Sequence, residues 1–420
     1  MSRYSSENVL TSYQDPIAFV PNKRCRFELD RNKLCYMPNM RLLDIGCTAD
    51  AQVAYNRGLG SLSIIKNIRL MDARTELSSL RTVAPYMFFK NSNHTNSENK
   101  SQKSWMRRNA LGLEIDSLNN KISNLWPTGY AQDVATGSDT AVLDLMKVFP
   151  ILTKLSCLPT SVFNNLSIEI EFEPNAARQI LTTTTANTIN IIRPVLAVDY
   201  IDNPAIVGPM TSQLISQGVR WLEIEHDNFV MPTVDTSGYA NGDSINVVNN
   251  NNSLGFVGKL IERLLVCKQI GDFAQELNGG TTVQGYSALA SSQALLNETV
   301  QVRLNGRNVL PGAKGISGAN AKLAQMADTF GEFSMNPCAN QYKWDQEADI
   351  NSGDLQSGQQ DFFGIMLGAR CQNLQLEIAR DTQKDSSIRQ PTNSQLNVNL
   401  FAEIHKAVTF SNGGYRIFYV

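Results

Sequence analysis

The sequence predicts an all-β protein made of two consecutive β-sandwiches, with long loops and a few short helices. Short runs of alternating apolar and polar residues recur along the whole chain, and a period of two places each set on one face of a β-strand. Clusters of Asn, Asp, Ser and Gly, which favour turns, separate these runs. Two similar series of runs follow one another, one in each half of the chain.

The composition fits a large folded protein without a strongly charged partner. The chain has 420 residues, of which 42% are hydrophobic, and this is enough for a large core. A net charge of -2 and a pI near 6.0 lack the basic excess of a nucleic-acid-binding protein. The first residues contain no apolar signal sequence, and no apolar run is long enough for a transmembrane helix, so we expect folding in the cytosol.

The first half is predicted to begin with an arm and to continue as strands. Residues 1–16 are polar and aperiodic, so we expect an arm that only neighbouring molecules order. Residues 72–76 resemble a helix start, and Pro85 would end or kink that helix. The adjacent Ile64 and Ile65 predict a bulge or burial on both faces of one strand. The predicted strands are 24–29, 34–45, 62–70, 166–173, 189–192 and 195–201.

A linker is predicted near the middle of the chain, where two X-Pro pairs disfavour helix and end strands. In the second half, the Gly-rich and Asn-rich residues 235–253 and 311–361 are expected to be loops. The predicted strands there are 221–225, 299–304, 374–378, 396–404 and 415–420. The predicted domains are an N-terminal arm at 1–16, a first sandwich at 17–202, a linker at 203–210 and a second sandwich at 211–420.

The C-terminal residues are predicted to close the second sandwich. Residues 396–404 alternate, residues 411–414 have turn chemistry, and residues 415–420 are apolar on both faces. We therefore expect 415–420 to be an interior strand that pairs with 396–404 and is covered on both sides.

Two matches between the halves predict a duplication. Residues 166–170 (Leu-Ser-Ile-Glu-Ile) resemble 374–378 (Leu-Gln-Leu-Glu-Ile), and each is followed by a polar connection and another apolar strand. Residues 68–74 likewise resemble 302–307. Because the matches occur in the same order, the halves are predicted to have the same architecture.

The strand at 166–173 carries three carboxylates on one face, from Glu169, Glu171 and Glu173. Leu166, Ile168, Ile170 and Phe172 alternate with polar residues and are predicted to face the core. The acidic face is interpreted as a solvated or interface surface, and a metal-binding ladder or an acid/base pair is the alternative.

The sequence contains no motif of a phosphate-binding loop, a zinc protease or a serine hydrolase. His226, between Glu225 and Asp227, could be an acid/base group, and a cysteine–histidine nucleophile pair stays open as an alternative. We predict no catalytic, cofactor-binding or metal-binding residue, and therefore no enzyme. The seven cysteines are scattered and odd in number, so free buried thiols without intramolecular disulfides are expected. The histidines are His94, His226 and His405, and the cysteines are Cys25, Cys35, Cys47, Cys157, Cys267, Cys338 and Cys371.

The order of strands resembles that of the double jelly-roll major capsid proteins of double-stranded DNA viruses. This broad family includes virophage, polinton-like and adenovirus hexon proteins. Residues 145–172, Arg193 to Asp199 (Arg-Pro-Val-Leu-Ala-Val-Asp) and 396–420, which end in Gly-Gly-Tyr-Arg-Ile-Phe-Tyr-Val, carry the resemblance. The resemblance implies two consecutive jelly-roll sandwiches, a double jelly roll.

The resemblance also implies a structural function in a virus particle. Three copies would form a pseudo-hexagonal capsomer of six jelly rolls, and capsomers would tile an icosahedral shell. The implied partners are the homotrimer, neighbouring capsomers, and penton and minor capsid proteins, with no cofactor and no specific nucleic acid. Contact with an inner membrane stays open. The protein would be made in the cytoplasm or nucleus of a host cell and would reside in the virion.

Two other classes of function are weighed against this one. A carbohydrate- or receptor-binding β-sandwich, such as a spike or penton-like protein, would need exposed aromatic residues at loop tips. The four tryptophans are candidates for this role, although buried packing is the prediction for them. A cupin-type enzyme would need two or three histidines near a carboxylate. The tryptophans are Trp105, Trp126, Trp221 and Trp344.

Overall fold

The structure is a computed structural model. It describes residues 9–49, 53–55, 64–92, 114–115, 122–123, 141–173, 180–182, 189–231, 244–251, 255–270, 298–317, 319–330, 363–383, 396–411 and 414–420. Strands account for most of them. In the first half the strands are β1 (Val9–Gln14), β2 (Ala18–Val20), β3 (Arg24–Glu28), β4 (Leu34–Ile45), β5 (Cys47–Ala49), β6 (Val53–Tyr55), β7 (Ile65–Asp72), β8 (Thr75–Arg81), β9 (Glu114–Ile115), β10 (Ile122–Ser123), β11 (Ala141–Asp144), β12 (Cys157–Pro159), β13 (Leu166–Phe172), β14 (Ile180–Thr182), β15 (Ile189–Ile191) and β16 (Val195–Ile201).

The second half is also dominated by strands, and helices are few. The strands are β17 (Val219–Met231), β18 (Ser244–Asn251), β19 (Leu260–Ile270), β20 (Glu298–Leu304), β21 (Arg307–Asn308), β22 (Ile316–Ser317), β23 (Phe363–Arg370), β24 (Leu374–Gln383), β25 (Leu396–Ser411) and β26 (Gly414–Tyr419). The helices of the described residues are α1 (Val83–Ser92), α2 (Pro150–Thr153), α3 (Pro204–Gln217) and α4 (Ala319–Phe330), with 3-10 turns at Leu145–Lys147 and Thr160–Val162. None of these helices is long and apolar enough to cross a membrane.

Each half contains two main sheets, and every described strand pairs within its own half. In the first half the sheets are β1-β16-β4-β11, with β12 also on β4, and β2-β3-β13-β7-β8. In the second half they are β17-β25-β19-β23, with β26 also on β25, and β18-β24-β20-β21, with β22 on β20. Three short ribbons, β5–β15, β6–β14 and β9–β10, add to the first half.

The two halves have the same strand order. When the principal strands of each half are numbered from one to eight along the chain, one sheet has the order 1-8-3-6 and the other 2-7-4-5. Eight strands in two facing sheets with these crossovers form a jelly roll. The predicted fold class is therefore confirmed. The principal strands are β1, β3, β4, β7, β8, β11, β13 and β16 in the first half, and β17, β18, β19, β20, β21, β23, β24 and β25 in the second.

The sequence repeat occupies equivalent places in the two halves. β13 lies beside the β7–β8 hairpin, and β24 lies beside the β20–β21 hairpin. Ile168 pairs with Leu70 in the first half, and Leu376 pairs with Val302 in the second. Both matched segments are therefore the seventh and fourth strands of their jelly rolls.

Long connections leave the strands mainly at one end of the jelly rolls. Successive strands run in opposite directions, so connections alternate between the two ends. The connections at one end are 15–23, 46–64, 82–140 and 173–194 in the first half, and 232–243, 271–297, 309–362 and 384–395 in the second. Those at the opposite end are 29–33, 73–74, 145–165, 252–259, 305–306 and 371–373.

The predicted N-terminal arm at 1–16 is wrong for residues 9–14. These residues form β1, which pairs with β16 along its whole length, and Thr11 Oγ1 donates to Asp199 Oδ1 at 2.8 Å. β1 is an edge strand that stays partly exposed on both faces, which explains why its sequence lacks a clear apolar period. Residues 1–8 lie outside the described residues.

The predicted helix at 72–76 is also wrong, because the chain forms a hairpin there. β7 ends at Asp72, β8 begins at Thr75, and Ala73 turns the chain with φ of 52°. The second jelly roll covers β8, so its central residues are all apolar or small and do not alternate with polar ones. The spacing of Leu77 and Leu80 therefore resembles that of a helix. The helix starts later, at Val83, with Pro85 in its first turn, where a missing N–H costs little. The predicted bulge is present, since the pairing of β13 with β7 shifts next to Ile65.

The predicted linker lies within α3. Asn203 has an extended conformation, as expected before proline, and its Oδ1 accepts from the Ala205 N–H at 3.0 Å. Pro204 then occupies the first turn, which proline tolerates. The helix ends at Gly218, which has φ of 63° and where a Cβ would lie 2.5 Å from the Val408 carbonyl oxygen. The division of the chain at 203–210 stays a prediction.

Two of the predicted loops contain regular structure. Residues 235–253 include β18, which pairs with β24, and residues 311–361 include α4. Met326 and Phe330 of α4 are buried, and a Cβ at Gly364 of β23 would lie 2.5 Å from the Phe330 ring. Because these segments are rich in Asn, Gln and Gly, their sequence predicts loops, although strand pairing and tertiary packing stabilise a strand and a helix there.

The C-terminal strand forms the predicted hairpin with β25, but it is not an interior strand. β26 pairs with Lys406 to Ser411, because β19 occupies residues 396–404 on the edge of β25 opposite β17. Phe418 and Tyr419 are 40% and 42% exposed. The prediction that 415–420 pairs with 396–404 and is covered on both sides is therefore wrong.

Candidate functional site at the junction of the two jelly rolls

The acidic face of β13 forms ion pairs with its neighbouring strands. Glu169 Oε2 lies 3.0 Å from Arg69 Nη2, and Glu171 Oε1 lies 3.2 Å from Lys66 Nζ. Burial raises the pKa of Glu171, but hydrogen bonds from Asn67 and Lys66 outweigh it and leave the pKa below its usual range. No cluster of three or more metal-binding side chains occurs in the described part of the chain. This face is a partly exposed charge network.

The histidines do not assemble a catalytic group among the described residues. His226 Nε2 lies 2.9 Å from Asn399 Oδ1, and burial lowers its pKa, which favours the neutral ring. His405 Nε2 lies 3.2 Å from Glu262 Oε2 at a half-exposed position. His94 lies outside the described residues.

The cysteines and the tryptophan whose side chains the structure describes are buried. Five cysteines are buried and form no disulfide, and burial raises the pKa of the Cys25 thiol to about 12 and that of Cys35 further, which disfavours the reactive thiolate. Trp221 is buried, as predicted. The buried cysteines are Cys25, Cys35, Cys157, Cys267 and Cys371, and the side chains that lie outside the described set are those of Cys47, Cys338, Trp105, Trp126 and Trp344.

Among the described residues, the largest cluster of buried apolar side chains joins the two jelly rolls. One hydrophobic cluster contains residues of both halves, including Trp221, Ile224 and Phe401 of the second. The Phe401 ring centroid lies 5.3 Å from that of Tyr86 in α1. Ring contacts also join Phe89 to Phe330 at 4.8 Å and Phe163 to Tyr415 at 5.5 Å. The two rolls therefore share an apolar core.

Two buried charged side chains, Glu223 and Lys406, lie within this junction, and we call them, together with Trp221, the charged clasp. Glu223 on β17 and Lys406 on β25 are 2% and 6% exposed. Glu223 accepts from the Ser79 N–H at 2.8 Å, from the Ser78 hydroxyl and, in a short hydrogen bond, from Trp221 Nε1. Lys406 Nζ donates to the Leu77 carbonyl at 2.9 Å and lies 5.7 Å from the centroid of the Trp221 ring. Leu77, Ser78 and Ser79 all belong to β8 of the first jelly roll.

A polar cavity of about 210 Å³ adjoins the charged clasp. Four other charged groups that line it form ion pairs, since Arg81 Nη2 lies 3.3 Å from Glu76 Oε2, and Lys259 forms a short ion pair with Glu225. Burial raises the pKa of Glu223, and attraction to Lys406 and three hydrogen-bond donors oppose this effect. The other residues that line the cavity are Ser79, Ile224, His226, Lys406 and Tyr419.

The pH dependence of stability should report on Glu223. Because its folded pKa is raised above the unfolded value of about 4.3, its stabilising contribution is complete below that pH and is lost as pH rises through the folded pKa. Glu223→Gln cannot titrate. We therefore expect the melting temperature of this variant, minus that of the wild type, to increase between about pH 4 and pH 8. Glu169→Gln on the exposed face is the control, and a constant difference for Glu223→Gln would contradict the prediction.

Known structures show the same fold, although sequence comparison finds nothing. No protein-family model and no curated protein matches the chain. The cryo-EM structure of the Sputnik virophage matches with a TM-score of 0.56 and 10% identity, over 100% of this chain and 90% of that chain. The mavirus major capsid protein matches with a TM-score of 0.55 and 9% identity, over 100% and 92%. The PBCV-1 virus capsid matches with a TM-score of 0.51 and 9% identity, over 100% and 98%.

The chain is a double jelly roll. The strand order establishes each jelly roll, and the matches extend over the whole chain rather than over one half. The predicted resemblance to virophage capsid structures is thus confirmed at the level of the fold. At about one identical residue in ten, the double jelly roll is maintained by strand pattern and packing rather than by shared residues.

Proposed function

We propose that this double jelly roll is a major capsid protein, three copies of which form a pseudo-hexagonal capsomer of an icosahedral virus shell. The main support is the arrangement of two jelly rolls of identical strand order, joined by a shared core into one body. Three such bodies around a threefold axis supply six similar units, which is the outline needed for hexagonal tiling. Structures of the same fold include one named as the mavirus major capsid protein.

Exposed apolar side chains support association with other copies. Leu10, Tyr13 and Ile17 are 59%, 70% and 58% exposed on and next to edge strand β1. Val230 and Met366 of the second jelly roll are also about half exposed. Clustered apolar side chains on a surface often mark an area that a partner covers, and Leu10, Tyr13 and Ile17 lie close together along the chain. We assign these surfaces to contacts within the trimer and with neighbouring capsomers, and penton and minor capsid proteins would complete the shell.

Size measurement of the purified chain tests the proposal. Size-exclusion chromatography with light scattering should give about three times the chain mass of 46.5 kDa, and negative-stain images should show particles with hexagonal outlines. A monomer that binds glycans would instead support a carbohydrate-binding sandwich, and a bound transition metal would support a cupin-type enzyme. Either result would exclude the capsid function, and with it the proposed location in the virion.

A further inference from the structure

β8 is an edge strand whose outer edge is buried. It is the last strand of the sheet β2-β3-β13-β7-β8, and it pairs with no other described strand on its outer side. Leu77, Ser78 and Ser79 are 1%, 0% and 7% exposed. Buried backbone N–H and C=O groups need hydrogen-bond partners, and open edges invite pairing with other chains. The backbone groups on this edge therefore need hydrogen-bond partners other than those of a neighbouring strand.

The charged clasp supplies what a neighbouring strand would supply. The Glu223 carboxylate accepts from the Ser79 N–H, and the Lys406 ammonium donates to the Leu77 carbonyl, at 2.8 and 2.9 Å. Residues two apart in a strand direct their backbone groups to the same edge. One acceptor and one donor from the second jelly roll thus bind two consecutive outward backbone groups of the first.

We propose that Glu223 and Lys406 are positioning residues that fix the second jelly roll on the first by taking the place of a strand at the edge of β8. The apolar contacts of the junction are non-directional, so they favour contact without choosing one orientation. Two charge-assisted hydrogen bonds to the backbone have defined directions and lengths, so they select one. This role rests on the proposed function in one respect, because a hexagonal capsomer needs a constant angle between its jelly rolls.

Hydrogen exchange of β8 tests this inference directly. In Glu223→Ala, amides in residues 75–81 should exchange about tenfold faster or more, because the acceptor of the Ser79 N–H is lost, while β13 at 166–172 keeps its protection. Glu223→Gln keeps one oxygen acceptor and should restore most of the protection. Glu169→Ala, which removes a carboxylate from the exposed face of the same sheet, should leave 75–81 unchanged.

The results separate the inference from the proposed function. Unchanged exchange of 75–81 in Glu223→Ala, or an equal increase in 166–172, would overturn the positioning role. If Glu223→Ala does not fold, Lys406→Met decides, because it removes the donor to the Leu77 carbonyl: faster exchange confined to 75–81 supports the role, and unchanged exchange overturns it. A monomeric wild type would refute the capsomer, yet exchange of β8 would still test the clasp. Faster exchange of β8 together with an intact trimer would contradict a role in assembly.

Discussion

Lys406→Met should lower the free energy of unfolding by about 3–5 kcal/mol, because it removes the buried positive charge that attracts the buried Glu223 carboxylate. The lost hydrogen bond to the Leu77 carbonyl adds to this effect. Urea denaturation followed by circular dichroism measures the change. Methionine has nearly the length of lysine, so a cavity contributes little to the difference.

Two matched variants separate the charge effect from other causes. Lys66→Met removes a lysine whose ion pair with Glu171 is 42% and 44% exposed, and it should cost less than about 1 kcal/mol. The double variant Lys406→Met/Glu223→Gln should recover most of the loss, because it removes the unpaired charge and keeps an oxygen that accepts from Ser79. A double variant as unstable as Lys406→Met would show that charge is not the cause.

Phe401→Ala should cost about 3–5 kcal/mol and should destabilise both jelly rolls together. The Phe401 ring is 1% exposed and contacts Tyr86 of the first jelly roll and His226 of the second, so its removal opens a cavity in the shared core. Thermal unfolding followed by circular dichroism, with hydrogen exchange of both halves, provides the measurement.

Phe418→Ala is the control for this prediction, since it removes the same type of side chain from edge strand β26, where Phe418 is 40% exposed. It should change the free energy of unfolding by less than about 1 kcal/mol. If Phe401→Ala unfolded only the second jelly roll and left the first with its normal melting temperature, the junction would not be a shared core.

The sequence predicts those strands that have one face on a core and one face towards solvent. β4 extends over 34–45, and β13 and β24 begin where their alternation begins, because a two-sided environment leaves a period of two in the residues. β8 lacks such a period, since the second jelly roll covers it. The sequence predicts the wrong partner residues for β26, because the pattern of β25 does not reveal that β19 pairs with its first nine residues.

The charged clasp was missed for a related reason. Glu223 and Lys406 are far apart in sequence, and their partners on β8 belong to the other half. One signal was present, since Trp221, Glu223 and Glu225 alternate onto a single strand face. A large apolar ring beside carboxylates on one face indicates an environment that is both buried and polar. A strand face in contact with solvent, or one in a purely apolar core, would not combine these residue types.

Because the connections at the two ends of the jelly rolls differ in length, the two ends should differ in how well they tolerate inserted residues. Residues added at 271–297 or 331–362 lengthen a connection that is already long, and they leave every hydrogen-bonded pair of the described strands in place. Doubling such a connection costs only about 0.6 kcal/mol in chain entropy. At the opposite end, two residues at 73–74 or 305–306 set the pairing of a hairpin, so a single insertion would shift its register. Foreign peptides are therefore best displayed from the first end, and lineages of this protein should diverge in length there.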